Sequence, residues 1–73
     1  MNNERRKAIG KALELIAQAR ELLEEARDDE RAYYDNMPES LQGSDKGSRA
    51  DEVASALDDA CSSLEEIEAL DYE

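Results

Sequence analysis

The stretch Ile9-Gly-Lys-Ala12-Leu-Glu-Leu-Ile16-Ala-Gln-Ala19-Arg-Glu-Leu-Leu23-Glu-Glu-Ala26 decides how this chain folds. Ile9, Ile16 and Leu23 recur every seven residues, and their row reaches Met37 after a break at Glu30. Ala12, Ala19, Ala26 and Tyr33 form a second row three positions later. Two such rows are the a and d positions of a helix packed along its length on another helix. No proline lies within 4–35 and Gly10 is the one glycine there, so the pattern predicts a helix over about 4–35. Asn2 or Asn3 supplies its cap.

Helix breakers follow. Pro38 drives Met37 out of the helical region, and Gly43 and Gly47 come next among Ser40, Ser44 and Asp45. Residues 36–47 read as the one loop, with Leu41, its only large aliphatic side chain, tucked onto the end of the helices. Ser48 with Asp51 three residues on resembles a capping box. The seam then restarts as Ala50, Val53, Leu57, Ala60, Leu64 and Ile67, in steps of three and four, and predicts a helix over about 48–70 with 71–73 frayed. At about 1.5 Å per residue the helices measure roughly 48 and 34 Å. Joined by one loop, they can pack only antiparallel. The fold class read here is all-α: a coiled-coil-like antiparallel hairpin of two helices, one domain over residues 1–73. Its core is Ile9, Leu13, Ile16, Leu23, Val53, Leu57, Ala60, Leu64 and Ile67.

The two helices are unequal. At 100° per residue, Ile9, Leu13, Ile16 and Leu23 make one bulky edge of the first helix, and Leu15, Leu22 and Tyr33 make another. The alanine row lies between these edges, so about half of the circumference is apolar. The second helix carries a stripe of only about 80° and cannot cover that surface. A second copy of the chain can, which predicts a dimer built as a four-helix bundle, self-associating through Ala12, Leu15, Ala19, Leu22, Ala26 and Tyr33.

Charge bounds the partners. Acidic residues number 20 and basic residues 9, a net charge of -11. Leu, Ile and Val total 12 of 73 residues, a disorder-like composition that the heptad periodicity overrides. Residues 1–11 carry a net +3 and residues 50–73 a net -9, ends that an antiparallel hairpin places side by side. Arg5, Arg6, Lys7 and Lys11 are expected to face Glu65, Glu66, Glu68 and Asp71. A chain this acidic repels nucleic acid and anionic membranes, so neither is an expected direct partner, whereas a basic protein surface is. Asp51, Asp58, Asp59, Glu65 and Glu66, read as unneutralised within their own helix, form the acidic face such a partner would meet. No apolar run follows Arg5, Arg6 and Lys7, so no leader is read, nothing reaches the ~20 apolar residues of a membrane span, and the expected location is the cytoplasm.

Catalytic chemistry is poorly supplied. The chain has no histidine, which removes the Ser-His-Asp triad and His-ligated metals. Cys61 is the single cysteine; a nucleophilic thiol needs a nearby cation, and its neighbours are Asp58, Asp59, Glu65 and Glu66. Gly43 and Gly47 lack the partners of a phosphate loop. No cofactor and no metal is read. Glu21 to Glu24 and Glu68 to Asp71 resemble the two halves of the E-x-x-E … E-x-x-D pattern of MazG-like all-α nucleotide pyrophosphohydrolases. That resemblance implies a Mg²⁺-dependent enzyme. The stretch Tyr34-Asp-Asn-Met-Pro-Glu-Ser-Leu-Gln-Gly-Ser44, followed by an acidic Ala/Leu helix, resembles small phage and prophage hairpin proteins over about residues 30–70. This second resemblance implies a small accessory protein acting inside the host cell. The function read is therefore a non-enzymatic, self-associating hairpin that works by protein-protein contact. The alternative is an acidic inhibitor that mimics nucleic acid and occupies a host nucleic-acid-binding or defence protein.

Overall fold

The computed structural model describes residues 3–72. Among them the regular structure is all helical: α1 (Asn3–Asp35), a single-turn α2 (Glu39–Gln42) and α3 (Asp45–Glu68). The particle is a rod of 60 × 14 × 14 Å. Asn3 is the first residue of α1, and the alternative cap Asn2 lies outside the described residues.

Local chemistry sets the boundaries. The last α-type bond of α1 runs from the Asn36 N–H to the Ala32 carbonyl at 3.0 Å, and Pro38, at φ -57° and ψ 145°, starts the next element. Helix ends leave carbonyls without partners. At α1 one of these is taken by a side chain from beyond the turn: Gln42 Nε2 donates to the Tyr34 carbonyl at 3.2 Å. The stretch 36–47 is thus not one loop. It contains α2, and α3 begins three residues earlier than the sequence pattern indicates. Ser44, not Ser48, is the cap; its hydroxyl accepts from the Gly47 N–H at 3.4 Å and donates to the Leu41 carbonyl. Ser48 lies inside the first turn and donates its backbone N–H to the Ser44 carbonyl at 2.8 Å.

Gly47 is what lets α2 sit against α3. A Cβ there would stand 2.2 Å from the Gln42 carbonyl oxygen, inside any permitted contact. Gly43, by contrast, has open space around it. Of the two glycines read as breakers, one is a packing requirement.

The cross-chain contacts fix the direction of the long helices. Arg6 bonds to the Tyr72 carbonyl, Arg20 to Glu68, and Arg27 to Asp58. Numbers rise along α1 as they fall along α3, so the helices run antiparallel.

On α1 the half-buried positions include the row Ile9, Ile16, Leu23 and Glu30, continued by Met37 beyond the helix, and the row Arg6, Leu13, Arg20, Arg27 and Tyr34. The expected core residues Ile9, Leu13, Ile16 and Leu23 thus face inward, and Ala12, Ala19, Ala26 and Tyr33, read as a self-associating face, are exposed. The seam is rotated from the expected one on α3, whose inner rows are Ala50, Leu57, Leu64 and Gly47, Ala54, Cys61, Glu68. Val53 and Ala60 remain half-buried at the margin, while Ile67, expected in the core, is 45% exposed.

The reason is visible in the contacts. Gly47, Ala50, Ala54 and Cys61 are the buried residues of α3, and all are small. On α1 the Arg20 and Arg27 side chains are only 23% and 21% exposed, and their heads reach Glu68 and Asp58 across the seam. Apolar periodicity is blind to arginines used this way.

The tail also departs from expectation. Leu70 N–H bonds to the Ile67 carbonyl at 3.0 Å, and the half-buried Tyr72 brings its hydroxyl to 3.3 Å from where a Cβ on Gly10 would stand. Asp71 and Tyr72 are therefore docked, not frayed; Glu73 lies outside the described residues.

Candidate interaction surface

The seam divides the rod into two long edges of opposite character. One is charged. Arg20 sits between two carboxylates, donating Nη2 to Glu68 Oε1 across the seam at 3.1 Å and Nη1 to Glu24 on its own helix. Two turns further on, Arg27 Nη1 donates to Asp58 Oδ1 at 3.0 Å and Arg31 Nη2 donates to Asp58 Oδ2 at 2.7 Å. Positions 20, 24, 27 and 31 are steps of three and four, so they form one strip along α1. The Arg31 and Arg27 guanidiniums hold the Asp58 carboxyl below the ordinary carboxylate value, and the carboxylates of Glu68 and Glu24 hold Arg20 firmly in its charged form.

This edge corrects two expectations. Asp58 was read as part of an unneutralised acidic face, yet its side chain is 43% exposed and bound by two arginines. Glu68 was expected to face the basic N-terminal cluster, and its partner is Arg20. Of that cluster, Arg6 donates to the Tyr72 carbonyl at 3.1 Å and Lys11 pairs with Glu14 on its own helix at 3.7 Å. Asp51, Asp59, Glu65 and Glu66 are exposed along the outside of α3.

The other edge is apolar and open. Ala12, Leu15, Ala19, Leu22, Ala26 and Tyr33 of α1 are all exposed, Leu22 at 67% and Leu15 at 53%. In helical projection these residues lie about 100° to one side of the seam, opposite in sense to the arginine strip. Val53, Ala60 and Ile67 lie about as far to one side on α3. Because the helices are antiparallel, the two displaced stripes fall on the same face of the rod. A shallow pocket confirms that placement, since Tyr33 of α1 and Arg49 and Val53 of α3 line it together. The face continues onto the tip, where Leu41, expected to be tucked in, stands 50% exposed beside Tyr33, Met37 and Pro38.

The residues that would serve catalysis are not brought together for it. Glu24 and Glu68, one from each half of the pyrophosphohydrolase-like pattern, converge on the Arg20 guanidinium. Among the described residues no group of three or more Cys, Asp or Glu side chains is disposed to hold a metal ion. Cys61 is buried, its thiol 4.0 Å from the Arg20 carbonyl oxygen. No helix among the described residues is long and apolar enough to cross a membrane.

Sequence reasoning missed Arg20, Arg27, Arg31, Gln42, Gly47 and Tyr72. A signal for part of this set is present: Arg6, Leu13, Arg20, Arg27 and Tyr34 recur every seven residues, as do Gly47, Ala54, Cys61 and Glu68. Compared with known proteins, the chain matches no protein-family profile, no curated protein and no solved structure.

Proposed function

We propose that this chain acts without catalysis, as a protein-protein interaction element whose open apolar face is covered by a second copy, giving a dimeric four-helix bundle. The observation that carries the reading is the placement of Leu15, Leu22, Tyr33 and Ile67, each about half exposed or more, on one side of the rod, while ion pairs close the other side. An isolated pair of helices with a core of alanine, glycine and cysteine has little buried apolar area to offset chain entropy. Covering the open face supplies it, at about 1 kcal/mol or more for each half-exposed leucine or isoleucine.

Light scattering or sedimentation at micromolar concentration tests this: the expected mass is twice the 8.2 kDa of one chain. A compact, folded particle of single-chain mass refutes the reading.

The outer edge of α3 supports a second reading. Asp51, Asp59, Glu65 and Glu66 are exposed, pair with no cross-helix cation among the described residues, and are left open by the proposed dimer. They offer a line of carboxylates to a basic groove, as in a phage-type accessory protein that occupies a host nucleic-acid-binding surface. That reading requires salt-sensitive capture of a nucleic-acid-binding protein, lost in an Asp59→Lys, Glu65→Lys, Glu66→Lys variant whose dimer mass is unchanged.

A further inference from the structure

The open face is self-complementary in a single register, and we infer from it how two copies meet: α1 lies antiparallel on α1 of the second copy, about a twofold axis crossing the rod near Arg20 and Cys61. The inference rests on the self-association proposed above and goes beyond it by fixing the arrangement.

Three observations converge on that axis. Along α1 the exposed apolar residues fall in two sevenfold rows of contrasting size: Ala8, Leu15 and Leu22, then Ala12, Ala19, Ala26 and Tyr33. Run antiparallel, one register pairs every large residue with a small one. Leu22 lies over Ala19 of the second copy, Leu15 over Ala26, and Tyr33 over Ala8. This knob-and-hollow fit is what interdigitated helices require. The centre of that register falls between Ala19 and Leu22.

The outer margin of α3 accommodates the same axis. The antiparallel register that sets Ile67 over Ala56 also sets Ala60 over Ser63, and is centred between Cys61 and Ser62. These two centres are adjacent in the molecule, since the Cys61 thiol is 4.0 Å from the Arg20 carbonyl oxygen. One axis therefore serves both helices.

Charge agrees. Beside the apolar rows of α1, Lys11 stands near one end and Asp29 near the other. The same register brings Lys11 of each copy beside Asp29 of the other, so twofold symmetry forms the pair twice. A face of 60 × 14 Å offers on the order of 800 Å² per copy, the area one partner contributes to a standard interface.

Single-cysteine variants in a Cys61→Ala background, checked to retain the wild-type mass, test the arrangement. Mixing Leu15→Cys with Ala26→Cys protein under mild oxidation is expected to give a mixed disulfide dimer. Mixing Leu15→Cys with Ile67→Cys is expected to give none. The opposite result, linkage of 15 to 67 between chains, places α1 over α3 of the second copy and overturns the inference while leaving self-association standing. A single-chain mass before oxidation refutes self-association itself. As a second measurement, Lys11→Glu is expected to weaken the dimer Kd by roughly fivefold and Lys11→Glu with Asp29→Lys to restore it; failure of the restoration overturns the register.

Discussion

The two edges of the α1–α3 seam are made of opposite materials and do opposite jobs. On one edge Arg20, Arg27 and Arg31 meet Glu24, Glu68 and Asp58, and the helices are tied to each other there. On the other edge Leu15, Leu22, Tyr33 and Ile67 face outward and tie nothing within the chain. Ion pairs at a half-exposed border contribute little stability but are directional, because each cation has acids at only certain positions. Apolar contact contributes more and is less particular about its partner. The difference teaches a division of labour: polar groups favour the antiparallel register inside one chain, and the greasy side is left open, as the proposed association requires.

The comparison can be broken by substitution, and the largest effect is expected on the open edge. Leu15→Glu with Leu22→Glu should lower dimer affinity at least a hundredfold, since two charges per copy would enter an apolar contact, while helix content by circular dichroism persists at high protein concentration. If the variant sediments with the wild-type mass, the open edge is not the interface.

Next in size is the contact of α2 with α3 at the tip. Gly47→Ala should destabilise the fold by about 2–3 kcal/mol in chemical denaturation, because a Cβ 2.2 Å from the Gln42 carbonyl oxygen forces α2 off α3. Gly43→Ala is the control. It has open space and φ -85°, so the change should be within about 0.5 kcal/mol and toward greater stability.

On the polar edge, Arg20→Ala should lower the Tm by less than Gly47→Ala does, and Arg20→Ala with Glu68→Ala should recover part of the loss. Removing the cation alone leaves Glu24 and Glu68 facing each other without it. A double variant whose loss equals the sum of the Arg20→Ala and Glu68→Ala losses would show that no coupling exists.

The smallest effect is a pH dependence. Asp58 titrates below its ordinary value of 3.8 in the folded chain because Arg31 and Arg27 favour its charged form. The unfolded chain therefore takes up this proton first as pH falls. The contribution of Asp58 is fully present above 3.8 and disappears as pH drops through the lower folded value. Asp58→Asn should remove that part of the acid limb, so that its stability falls less steeply than wild type below about pH 4. Parallel acid limbs would exclude a role for this pair.

Much of the architecture was legible in the amino-acid order. The row Ile9, Ile16 and Leu23, the break at Pro38 and the restart at Ala50 define the long helical segments, because apolar spacing and proline report directly on backbone geometry. The rotation of the seam was not legible from apolar spacing. Ala12 and Leu13 are equally acceptable inner residues when only hydrophobicity is weighed. What decides between them is a pairing across the fold: Arg20 with Glu68 and Arg27 with Asp58, beside an α3 whose buried residues are small. Those partners are 48 and 31 residues apart, and a one-dimensional period carries no such information. The cap at Ser44 was hidden for a related reason. Ser44 and Ser48 both precede an apolar run, and only the contact of Gly47 with Gln42 shows which one the chain uses. The exposure of Ala12, Leu15, Ala19, Leu22, Ala26 and Tyr33 was legible because they are an excess of large and small apolar groups over what the second helix can shelter.

Both ends of α1 are fastened by residues that come after it. Gln42 holds the carbonyl of Tyr34, and Tyr72 closes over Gly10 with its own carbonyl held by Arg6, 66 residues away. Completion of the rod waits on a loop closure spanning nearly the whole chain, which slows assembly more than it weakens the product.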